Sequence, residues 1–445
     1  MHMKDQKILR LGLLGAGVVG GGVIKVLKRN AEEIERRSGR LLKVMHIGTL
    51  DVGRARKEFG DDYHFTTDLD AIATSKEIDV VIELIGGTTR AKEVVLTAIK
   101  AGKHVVTANK AMLAEHGMEI FAAAREQGVI VAFEAAIAGG VPIVKALREG
   151  LTANRIQWVA GIINGTTNYI LSEMRSKGVS FDCALKDAQK LGYAEADPTF
   201  DIEGIDAAHK IAIASALAFG VPIQFSKAYI EGISQLETVD INYAESLGYR
   251  VKLLGITKKV KQGIELRVHP ALIPKARLIA NVEGAMNAIV VQGDAVGATL
   301  YYGEGAGSEP TASAVIADLI DIARMGNADP THQVPHLAFW LEALGRDSVL
   351  TMDNVLTSYY LRLRVADEAG VLAQVTRILA DNDISIDAVI QRESSDVSAE
   401  GENQTDLVIL THDTLECAMN KAIGLMEEMP AVFGHVRRIR KEELN

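Results

Sequence analysis

Residues 8–29 read ILRLGLLGAGVVGGGVIKVLKR, and this stretch decides the fold of the first third of the chain. Residues 8–14 form an apolar run that predicts a buried strand, and Val19, Val23 and Leu27 then recur at the four-residue spacing of a helix. Between them lies a Gly-x-Gly-x-x-Gly turn, a spacing that lets a pyrophosphate approach the backbone at the positive end of the helix. We therefore expect a dinucleotide at this loop, which consists of Gly15, Ala16, Gly17, Val18, Val19 and Gly20.

Strands and helices alternate after this loop. Apolar runs occur at residues 41–47, 79–85, 104–107 and 129–133, and helical patterns separate them at 91–101 and 114–127. This alternation predicts an α/β fold with a Rossmann-type, doubly wound parallel sheet for residues 1–150. Longer helices and alternating strands, at 155–163, 264–269 and 288–292, then predict a separate α+β domain for residues 151–330.

The last part of the chain has its own pattern. Residues 331–356 carry little strand pattern and are interpreted as a linker. Residues 357–445 give strand (359–365), helix (371–381), strand (384–391), polar loop (393–403), strand (405–411), helix (415–428) and strand (432–439). This order is that of a ferredoxin-like βαββαβ domain.

Composition limits the possible partners. The 445 residues exceed what one core usually organises, and 58 acidic against 48 basic residues leave a net charge of -10, which argues against nucleic acid. The basic run at residues 437–441 is interpreted as a solvated strand end. Because no segment is suited to a membrane and Cys183 and Cys417 stand far apart, we expect a cytoplasmic protein.

The end of the second strand leaves the choice of dinucleotide open. The acidic residue that usually binds the ribose 2′-hydroxyl is missing from residues 46–50. Asp51 could reach the ribose, whereas Arg54 and Arg56 could neutralise a 2′-phosphate or could be solvated helix residues. NAD and NADP both remain possible.

Charged residues follow the predicted sheet. Lys110 comes directly after the strand at 104–107, at the edge where ligands bind in parallel sheets, although an exposed lysine is the alternative. Asp206 and Lys210 share one face of an otherwise apolar helix at 205–219, where a charge is costly unless it is paired or faces a cleft. Together with the carboxylates of residues 195–201, these groups suit a small zwitterionic substrate.

Five strings give a specific resemblance. They read ELIGG (83–87), TANK (107–110), NGTTNYIL (164–171), GYAEADP (192–198) and GAG (305–307), followed by Pro310 and Thr311. In this order, with Asp206 and Lys210, they resemble the homoserine dehydrogenase family. The resemblance implies reversible reduction of L-aspartate 4-semialdehyde to L-homoserine with NADP or NAD.

The resemblance also implies roles for single residues. Lys210 is the implied proton donor and Lys110 the second catalytic lysine, although the sequence does not decide between them, while Glu195, Asp206 and Asp201 hold the substrate. Further implied cofactor contacts are Thr107, Lys110, Gly192 and Gly307. A lysine with an ordinary pKa near 10.4 is rarely neutral at pH 7, and a second cation nearby would lower that pKa.

The resemblance extends to an ion, an effector and an assembly. Residues 134–141 resemble a sodium loop whose ligands are the backbone carbonyls of Glu134, Ile137, Gly139 and Val141. Residues 367–372 resemble the ligand loop of an ACT domain, with Ala369 in place of the common proline, which implies threonine as effector near Asp367, Gly370 and Val371. A homodimer or homotetramer is also implied.

Two other functions are compatible with parts of the sequence. One is another amino-acid dehydrogenase on the same scaffold, similar to saccharopine reductase, and the other is a non-catalytic sensor of dinucleotide and amino acid. The first does not account for Glu195, Asp206 and Lys210 together, and the intact lysines and carboxylates argue against the second.

Overall fold

A computed structural model describes residues 8–325, 328–329, 332–393 and 404–444. The first part of the chain contains β1 (Ile8–Leu14), α1 (Val18–Arg29), α2 (Ala31–Ser38), β2 (Leu41–Gly48), α3 (Val52–Phe59), β3 (His64–Thr66), α4 (Leu69–Thr74), β4 (Val80–Glu83), α5 (Thr89–Lys100), β5 (His104–Thr107), α6 (Lys110–Gln127), β6 (Val131–Ala132) and α7 (Ile143–Lys145). Six strands form one parallel sheet in the order β3-β2-β1-β4-β5-β6. The Rossmann-type sheet is therefore confirmed.

The middle part of the chain builds a second sheet. It contains β7 (Ile156–Ile162), α8 (Gly165–Lys177), α9 (Phe181–Lys190), α10 (Thr199–Ile202), α11 (Ile205–Phe219), β8 (Tyr229–Ile230), α12 (Thr238–Ser246), β9 (Tyr249–Val260), β10 (Gly263–Pro274), β11 (Met286–Gly293), β12 (Gly297–Glu304) and α13 (Ser308–Met325). The neighbouring strands β12, β11, β7, β9 and β10 pair antiparallel. Apolar α11 lies against this sheet, with every residue from Asp206 to Ala218 buried.

Helix α13 returns to the first sheet. Its residues Val315 and Leu319 share a buried cluster with Leu11 and Leu13 of β1 and with Val23 of α1. Residues 308–325 therefore pack with the dinucleotide half, although they follow the second sheet in sequence.

The C-terminal part forms the expected ferredoxin-like unit. It contains β13 (Leu356–Ala366), α14 (Val371–Asp381), β14 (Ile386–Glu393), β15 (Gln404–Thr411), β16 (Thr414–Leu415), α15 (Glu416–Glu427) and β17 (Val432–Lys441). Its strands lie in the order β17-β13-β15-β14. Residues 394–403, most of the polar loop expected from the sequence, lie outside the described residues.

The second and third regions share one continuous sheet. β17 pairs parallel with β10, through Ala271 with Arg440 and Leu272 with Lys441. The basic run is thus not a solvated strand end, because Arg440 is 0% exposed and Lys441 is 6% exposed. The sequence-based interpretation was wrong at these two residues, since the strand joins a sheet whose partner groups lie far away in the sequence.

The segment before β13 packs against the first domain. Nε2 of His336 accepts a 3.0 Å hydrogen bond from the backbone N–H of Val131, and its ring stacks on Phe121 at 5.3 Å. None of the described helices has the length and apolar character needed to cross a bilayer.

Candidate active site

A cleft of about 950 Å³ opens at the carboxyl ends of β1, β2 and β4. Four residues of the predicted cofactor loop line it, and these are Gly15, Ala16, Gly17 and Val18. The other lining residues are Gly21, Lys25, Gly48, Thr49, Leu50, Asp51, Arg54, Ala55, Glu58, Thr67, Leu69, Leu84, Ile85, Gly86, Arg90 and Ser308. The cleft lies where parallel sheets bind their ligands.

The glycines of the loop serve different purposes. A Cβ on Gly15, whose φ is 100°, would lie 2.6 Å from the carbonyl oxygen of Leu84, and a Cβ on Gly20 would lie 2.1 Å from that of Gly15. A Cβ on Gly17 would meet no atom within 4 Å. Because Gly17 begins α1 without a side-chain cap, open space lies beside the first N–H groups of the helix, as a bound pyrophosphate requires.

The far end of the cleft contains the residues that could select the dinucleotide. The Asp51 carboxylate caps α3, accepting a 2.9 Å hydrogen bond from the backbone N–H of Arg54. Arg54 lines the cleft, and its side chain forms no ion pair among the described residues. Arg56 points elsewhere, with its Nε 3.4 Å from Asp61.

A buried carboxyl group supports the edge of the cleft. Oε2 of Glu83 accepts a 2.6 Å hydrogen bond from the Thr107 hydroxyl, and its Oε1 accepts bonds from the backbone N–H groups of Ile85 and Gly86. Burial raises the pKa of Glu83. Glu83 thus ties the loop after β4, which lines the cleft, to the end of β5.

Asn109 continues this connection and positions Lys110. Its Oδ1 caps α6 by accepting from the Met112 N–H at 3.1 Å, while its Nδ2 donates to the carbonyl of Gly87 at 2.7 Å. Lys110 is the first residue of α6, and its Nζ lies 3.1 Å from Oδ1 of Asp206.

The structure brings the predicted lysines and Asp206 together. Lys210 Nζ lies 2.6 Å from Oδ2 of Asp206 and donates at 2.7 Å to the carbonyl of Ile163, at the end of β7. Asp206 and Lys210 are 4% and 9% exposed, whereas the side chain of Lys110 is 33% exposed. Lys110 therefore lies on the open side of a mostly buried cluster.

The local charges shift the protonation of this cluster in opposite directions. Burial lowers the pKa of Lys210, and the charge of Lys110 adds to that effect against the attraction of Asp206. Burial disfavours the charged form of Asp206 as well, but Lys210 and Lys110 outweigh it and hold its pKa well below the usual range. The second cation lowers the pKa of Lys210, as expected from the sequence, although burial is the larger cause.

A second carboxylate joins the cluster through Asn164. Nδ2 of Asn164 donates to Asp201 at 2.7 Å and to Asp206 at 2.9 Å. The Thr166 hydroxyl contacts Asp201 Oδ2 at 3.1 Å and donates to the carbonyl of Tyr193 at 2.6 Å. Burial and the neighbouring Asp206 raise the pKa of Asp201.

Several predicted site residues lie outside this cluster. Glu195 is exposed, and no hydrogen bond or ion pair among the described residues involves its carboxylate. Gly192 is exposed, with φ of 77°, and Gly307 has φ of 123° just before α13. Six of the predicted cofactor residues are not among those that line the dinucleotide cleft, and these are Val19, Gly20, Thr107, Lys110, Gly192 and Gly307.

The predicted sodium loop follows β6, and its residues are buried except for Gly140. Ala138 and Gly139 adopt positive φ angles of 52° and 51°. The carbonyl of Val141 accepts a 2.8 Å hydrogen bond from Ile143 and that of Glu134 a weak bond from Ile137, whereas no hydrogen bond among the described residues ends on the carbonyls of Ile137 and Gly139. Carbonyl oxygens would have to bind an ion here, since no group of three or more acidic, histidine or cysteine side chains in the described ranges could hold one.

The predicted effector loop precedes α14. Asp367 Oδ1 accepts a 3.2 Å hydrogen bond from the Gln391 side chain, and Gly370, with φ of 98°, begins the helix without a side-chain cap. Val371 is buried in the core of this domain.

Comparison with known proteins identifies the family. A model described as "Homoserine dehydrogenase" matches residues 142–320, one described as "Homoserine dehydrogenase, NAD binding domain" matches residues 15–134, and one described as "ACT domain" matches residues 359–415. A homoserine dehydrogenase of Pseudomonas aeruginosa is 55% identical over 445 residues, covering 99% of this chain and 100% of the relative. The chain belongs to the homoserine dehydrogenase family. A homoserine dehydrogenase of Neisseria gonorrhoeae is also 55% identical, over 439 residues that cover 99% of this chain and 100% of the relative.

A solved homoserine dehydrogenase from Thiobacillus denitrificans has the same overall architecture. It aligns with a TM-score of 0.94 at 60% identity, and the match covers 99% of each chain. Membership of the homoserine dehydrogenase family makes the protein an oxidoreductase of amino-acid biosynthesis with an NAD(P)-binding domain and an ACT domain.

Sequence reasoning missed three contributors to the site. Glu83 and Asn164 lie within the quoted strings, but only their hydrogen bonds show that they connect elements. The Ser308 hydroxyl donates to the carbonyl of Val18 at 2.7 Å, and a Cβ on Gly22 would lie 2.4 Å from the Ser308 carbonyl oxygen. Gly22, which lies outside the Gly-x-Gly-x-x-Gly pattern, could have indicated in the sequence that another element packs closely against α1.

Proposed function

We propose that this protein interconverts L-aspartate 4-semialdehyde and L-homoserine with a nicotinamide dinucleotide. The supporting observation is the cluster of Lys110, Asp206 and Lys210, which Asn109 and Glu83 connect to the loop lining the dinucleotide cleft. Both lysines thus stand beside the edge of the sheet where a dinucleotide would bind.

The residues of the cluster suit the proton transfer. A bound nicotinamide supplies or accepts the hydride at the substrate carbon. Lys210 donates its Nζ proton to the oxygen that becomes the hydroxyl of homoserine, and in the reverse direction neutral Lys210 takes that proton back. Its lowered pKa increases the neutral fraction at physiological pH, while Asp206 holds the amine in place.

The substrate also carries an ammonium and a carboxylate group. Glu195 and Asp206, assisted by Asp201, are proposed to hold the substrate through its ammonium group. Lys110, on the open side of the cluster, is proposed to bind the substrate oxygen or carboxylate. For Glu195 this requires the exposed segment around residue 195 to approach the substrate.

The test follows reduced nicotinamide by absorbance in the purified full-length protein with homoserine and either dinucleotide. Lys210→Ala should abolish turnover while the protein stays folded. Lys190→Ala, which alters an exposed lysine, is the control and should retain turnover. Near-normal homoserine oxidation by Lys210→Ala would contradict the proposed role of Lys210 as the proton donor. If the unaltered protein binds a dinucleotide but shows no turnover, the result would favour the sensor. Turnover of a different amino acid would favour the saccharopine reductase-like alternative.

We further propose NADP as the preferred dinucleotide. Asp51 is engaged in its helix cap. Arg54, which forms no ion pair within the described part of the chain, lines the cleft, where it suits a 2′-phosphate. Arg54→Ala should lower kcat/KM for NADP by about tenfold, the value of one weakened charged hydrogen bond, and leave that for NAD nearly unchanged. Arg56→Ala is the matched control. Equal losses with both dinucleotides would contradict the proposal.

The loop at residues 134–141 is proposed to bind sodium through backbone carbonyls of Glu134, Ile137, Gly139 and Val141. Support comes from the two carbonyls without hydrogen bonds and from the preference of hard cations for oxygen. Activity that is unchanged when sodium is replaced by a large organic cation would count against it.

The ACT domain is proposed to bind threonine at Asp367, Gly370 and Val371 and to inhibit the enzyme. Gly370→Ala strains a backbone with positive φ at the start of α14, so it should weaken inhibition by threonine. Basal activity should be retained, since this loop belongs to a separate core. Unaltered inhibition by threonine would contradict the assignment.

Assembly, domain boundaries and location are also proposals. Strand β12 is the edge of the second sheet and exposes Leu300 and Tyr302, which suits a homodimer formed through this domain. Light scattering tests this, and a tetramer would indicate that the ACT domains pair as well. The division near residue 150, the linker at 331–356 and the cytoplasmic location stay predictions, as do the cofactor roles of Thr107, Gly192 and Gly307.

A further inference from the structure

We propose that Asn164 is a positioning residue that sets the proton affinity of Lys210 by holding Asp201 and Asp206 in one fixed arrangement. The inference rests on the proposed function for its kinetic consequences, but its electrostatic core concerns only side chains of this chain.

The hydrogen bonds of Asn164 are fully assigned by their geometry. Both of its amide hydrogens go to carboxylates, to Asp201 Oδ1 at 2.7 Å and to Asp206 Oδ2 at 2.9 Å. Its Oδ1 accepts from the backbone N–H of Thr167 at 2.8 Å and from the Thr167 hydroxyl at 3.0 Å. Because a flipped amide would direct its oxygen at two carboxylates, only one orientation is compatible with these neighbours.

Asn164 is also placed by rigid elements on both sides. It follows Ile163, whose carbonyl accepts from Lys210, and it caps α8. The residue is 5% exposed, so water does not substitute readily for its amide. The residue therefore connects the end of β7, the start of α8 and the charged face of α11.

The amide solves an electrostatic problem in this cluster. Two carboxylates that share one donor repel each other, and this repulsion is one cause of the raised pKa of Asp201. A neutral amide stabilises both carboxylates without adding a cation that would compete with Lys210 for Asp206. Asp206 Oδ2 can then accept from Asn164 and Lys210 at the same time, which fixes the lysine amine at the end of β7.

Two variants test the role of the Asn164 amide, because they keep a capping side chain at the start of α8 but replace the amide. Asp and Ser are both favourable N-cap residues, so Asn164→Asp and Asn164→Ser should each preserve the helix. Asn164→Asp replaces the donors by a third negative charge, whereas Asn164→Ser replaces the two amide donors by one hydroxyl on a shorter side chain, which cannot bridge both carboxylates and adds no charge. A role limited to helix capping would leave both variants like the unaltered protein.

The expected results differ between the variants. Asn164→Asp should raise the pKa of Lys210 by at least about one unit, since an opposite charge at this range shifts a pKa by about one to three units. The limb of the pH profile of homoserine oxidation that rises with pH should move upward equally, so kcat/KM at neutral pH falls about tenfold or more. Asn164→Ser should lower kcat by about tenfold or more with a smaller movement of that limb, because the carboxylates lose their fixed positions.

The experiment combines a titration with kinetics. NMR titration of ¹³C-labelled lysines, with the Lys210 signal assigned through Lys210→Ala, measures the pKa without requiring turnover. Ser180→Ala removes the cap of α9 away from the site and controls for a lost cap, with no change expected in the titration or the pH profile. If Asn164→Asp fails to fold, Asn164→Ser carries the kinetic comparison.

An unchanged Lys210 pKa in folded Asn164→Asp would overturn the inference, as would wild-type kcat and an unmoved pH profile in folded Asn164→Ser. A protein that is inert towards homoserine but shows the shifted pKa would contradict the proposed function and uphold the role of Asn164.

Discussion

Two buried ionic clusters in this chain have opposite designs. The first is the proposed catalytic cluster, which consists of Lys110, Asp206, Lys210, Asn164 and Asp201. The second, the junction cluster, lies where β17 joins β10 and consists of Arg440, Glu416, Glu231, Tyr359 and Tyr229. Arg440 lies 2.8 Å from Glu231, donates at 3.0 Å to the Tyr229 hydroxyl, and pairs with Glu416, which also accepts from Tyr359 at 2.7 Å.

The difference between the clusters is the group that carries the positive charge. Burial and Lys110 lower the pKa of Lys210, so its amine can release a proton. Burial also acts on Arg440, but Glu416 and Glu231 outweigh it and raise the pKa of the guanidinium, which stays charged at any pH that the protein survives. With similar burial, a lysine can therefore exchange a proton, whereas an arginine keeps its charge and its ion pairs.

The strongest way to break this comparison is Lys210→Arg. The arginine keeps a positive charge beside Asp206 but cannot act as a base, so kcat should fall by about 10²- to 10⁴-fold, the usual value of general acid–base catalysis. Stopped assays in both reaction directions measure it. Activity within tenfold of the unaltered protein would mean that another group, with Lys110 as the first candidate, moves the proton.

Arg440→Met tests the second cluster. It leaves Glu416, which is 2% exposed, with Arg438 as its remaining cation, and should lower the free energy of unfolding by about 3 kcal/mol. Urea unfolding followed by circular dichroism measures this loss. A variant as stable as the parent would show that the junction cluster fixes geometry without contributing net stability.

Glu134 extends the comparison to a buried carboxylate that forms no ion pair with any of the described residues. Its side chain accepts from the N–H groups of Val144 and Lys145, its own N–H donates to Asp318, and burial raises the pKa of Glu134 to about 7 and that of Asp318 to about 6. A raised folded-state pKa means that the native state holds the extra proton. The stabilisation that protonated Glu134 gives the native state is therefore complete below pH 4.5, and it is lost as the pH rises towards 7.

The contribution of Glu134 to this loss is about 3 kcal/mol at most, from a shift between the usual 4.5 and about 7. Glu134→Gln should accordingly flatten the fall in unfolding free energy between pH 5 and 7.5, as measured by urea unfolding across that range. Glu119→Gln, which alters an exposed carboxylate, should leave the slope as it is. An unchanged slope in Glu134→Gln would place the proton elsewhere.

The smallest effect is expected for Arg377→Met on α14. This arginine pairs with Asp381 at 2.9 Å, but both side chains are more than half exposed. Exposed pairs contribute little because water and salt screen them. No measurable change in the thermal unfolding midpoint is expected. A loss of stability similar to that of Arg440→Met would show that burial does not explain the difference in stability between the two variants.

Local patterns predicted the parts of the fold that local forces determine. The helix expected at 371–381 has those bounds in the structure, because its apolar residues keep a helical period, and the loop at 15–20 lies at the predicted turn. The pairing of Asp206 with Lys210 followed from their spacing on one buried helix. Strands β9 and β12 were not among the strands expected from the sequence.

What the sequence could not provide are contacts between distant segments. Asn164 lies 42 positions from Asp206, and Glu231 lies 209 positions from Arg440. The basic run at 437–441 was misread because its partners are invisible to any local window. Glu195 shows the converse, since the resemblance suggests a substrate contact that no contact among the described residues supports.

The join between β10 and β17 has a practical consequence for protein engineering. One edge of β10 is covered by β8 at Arg267 and Val268 and by β17 at Ala271 and Leu272. Removing the ACT domain would uncover that edge at Ala271 and Leu272 and leave unpaired backbone groups that recruit strands of other molecules. Truncated forms should therefore aggregate during production, and single substitutions in the loop at 367–371 are the safer test of the proposed regulation.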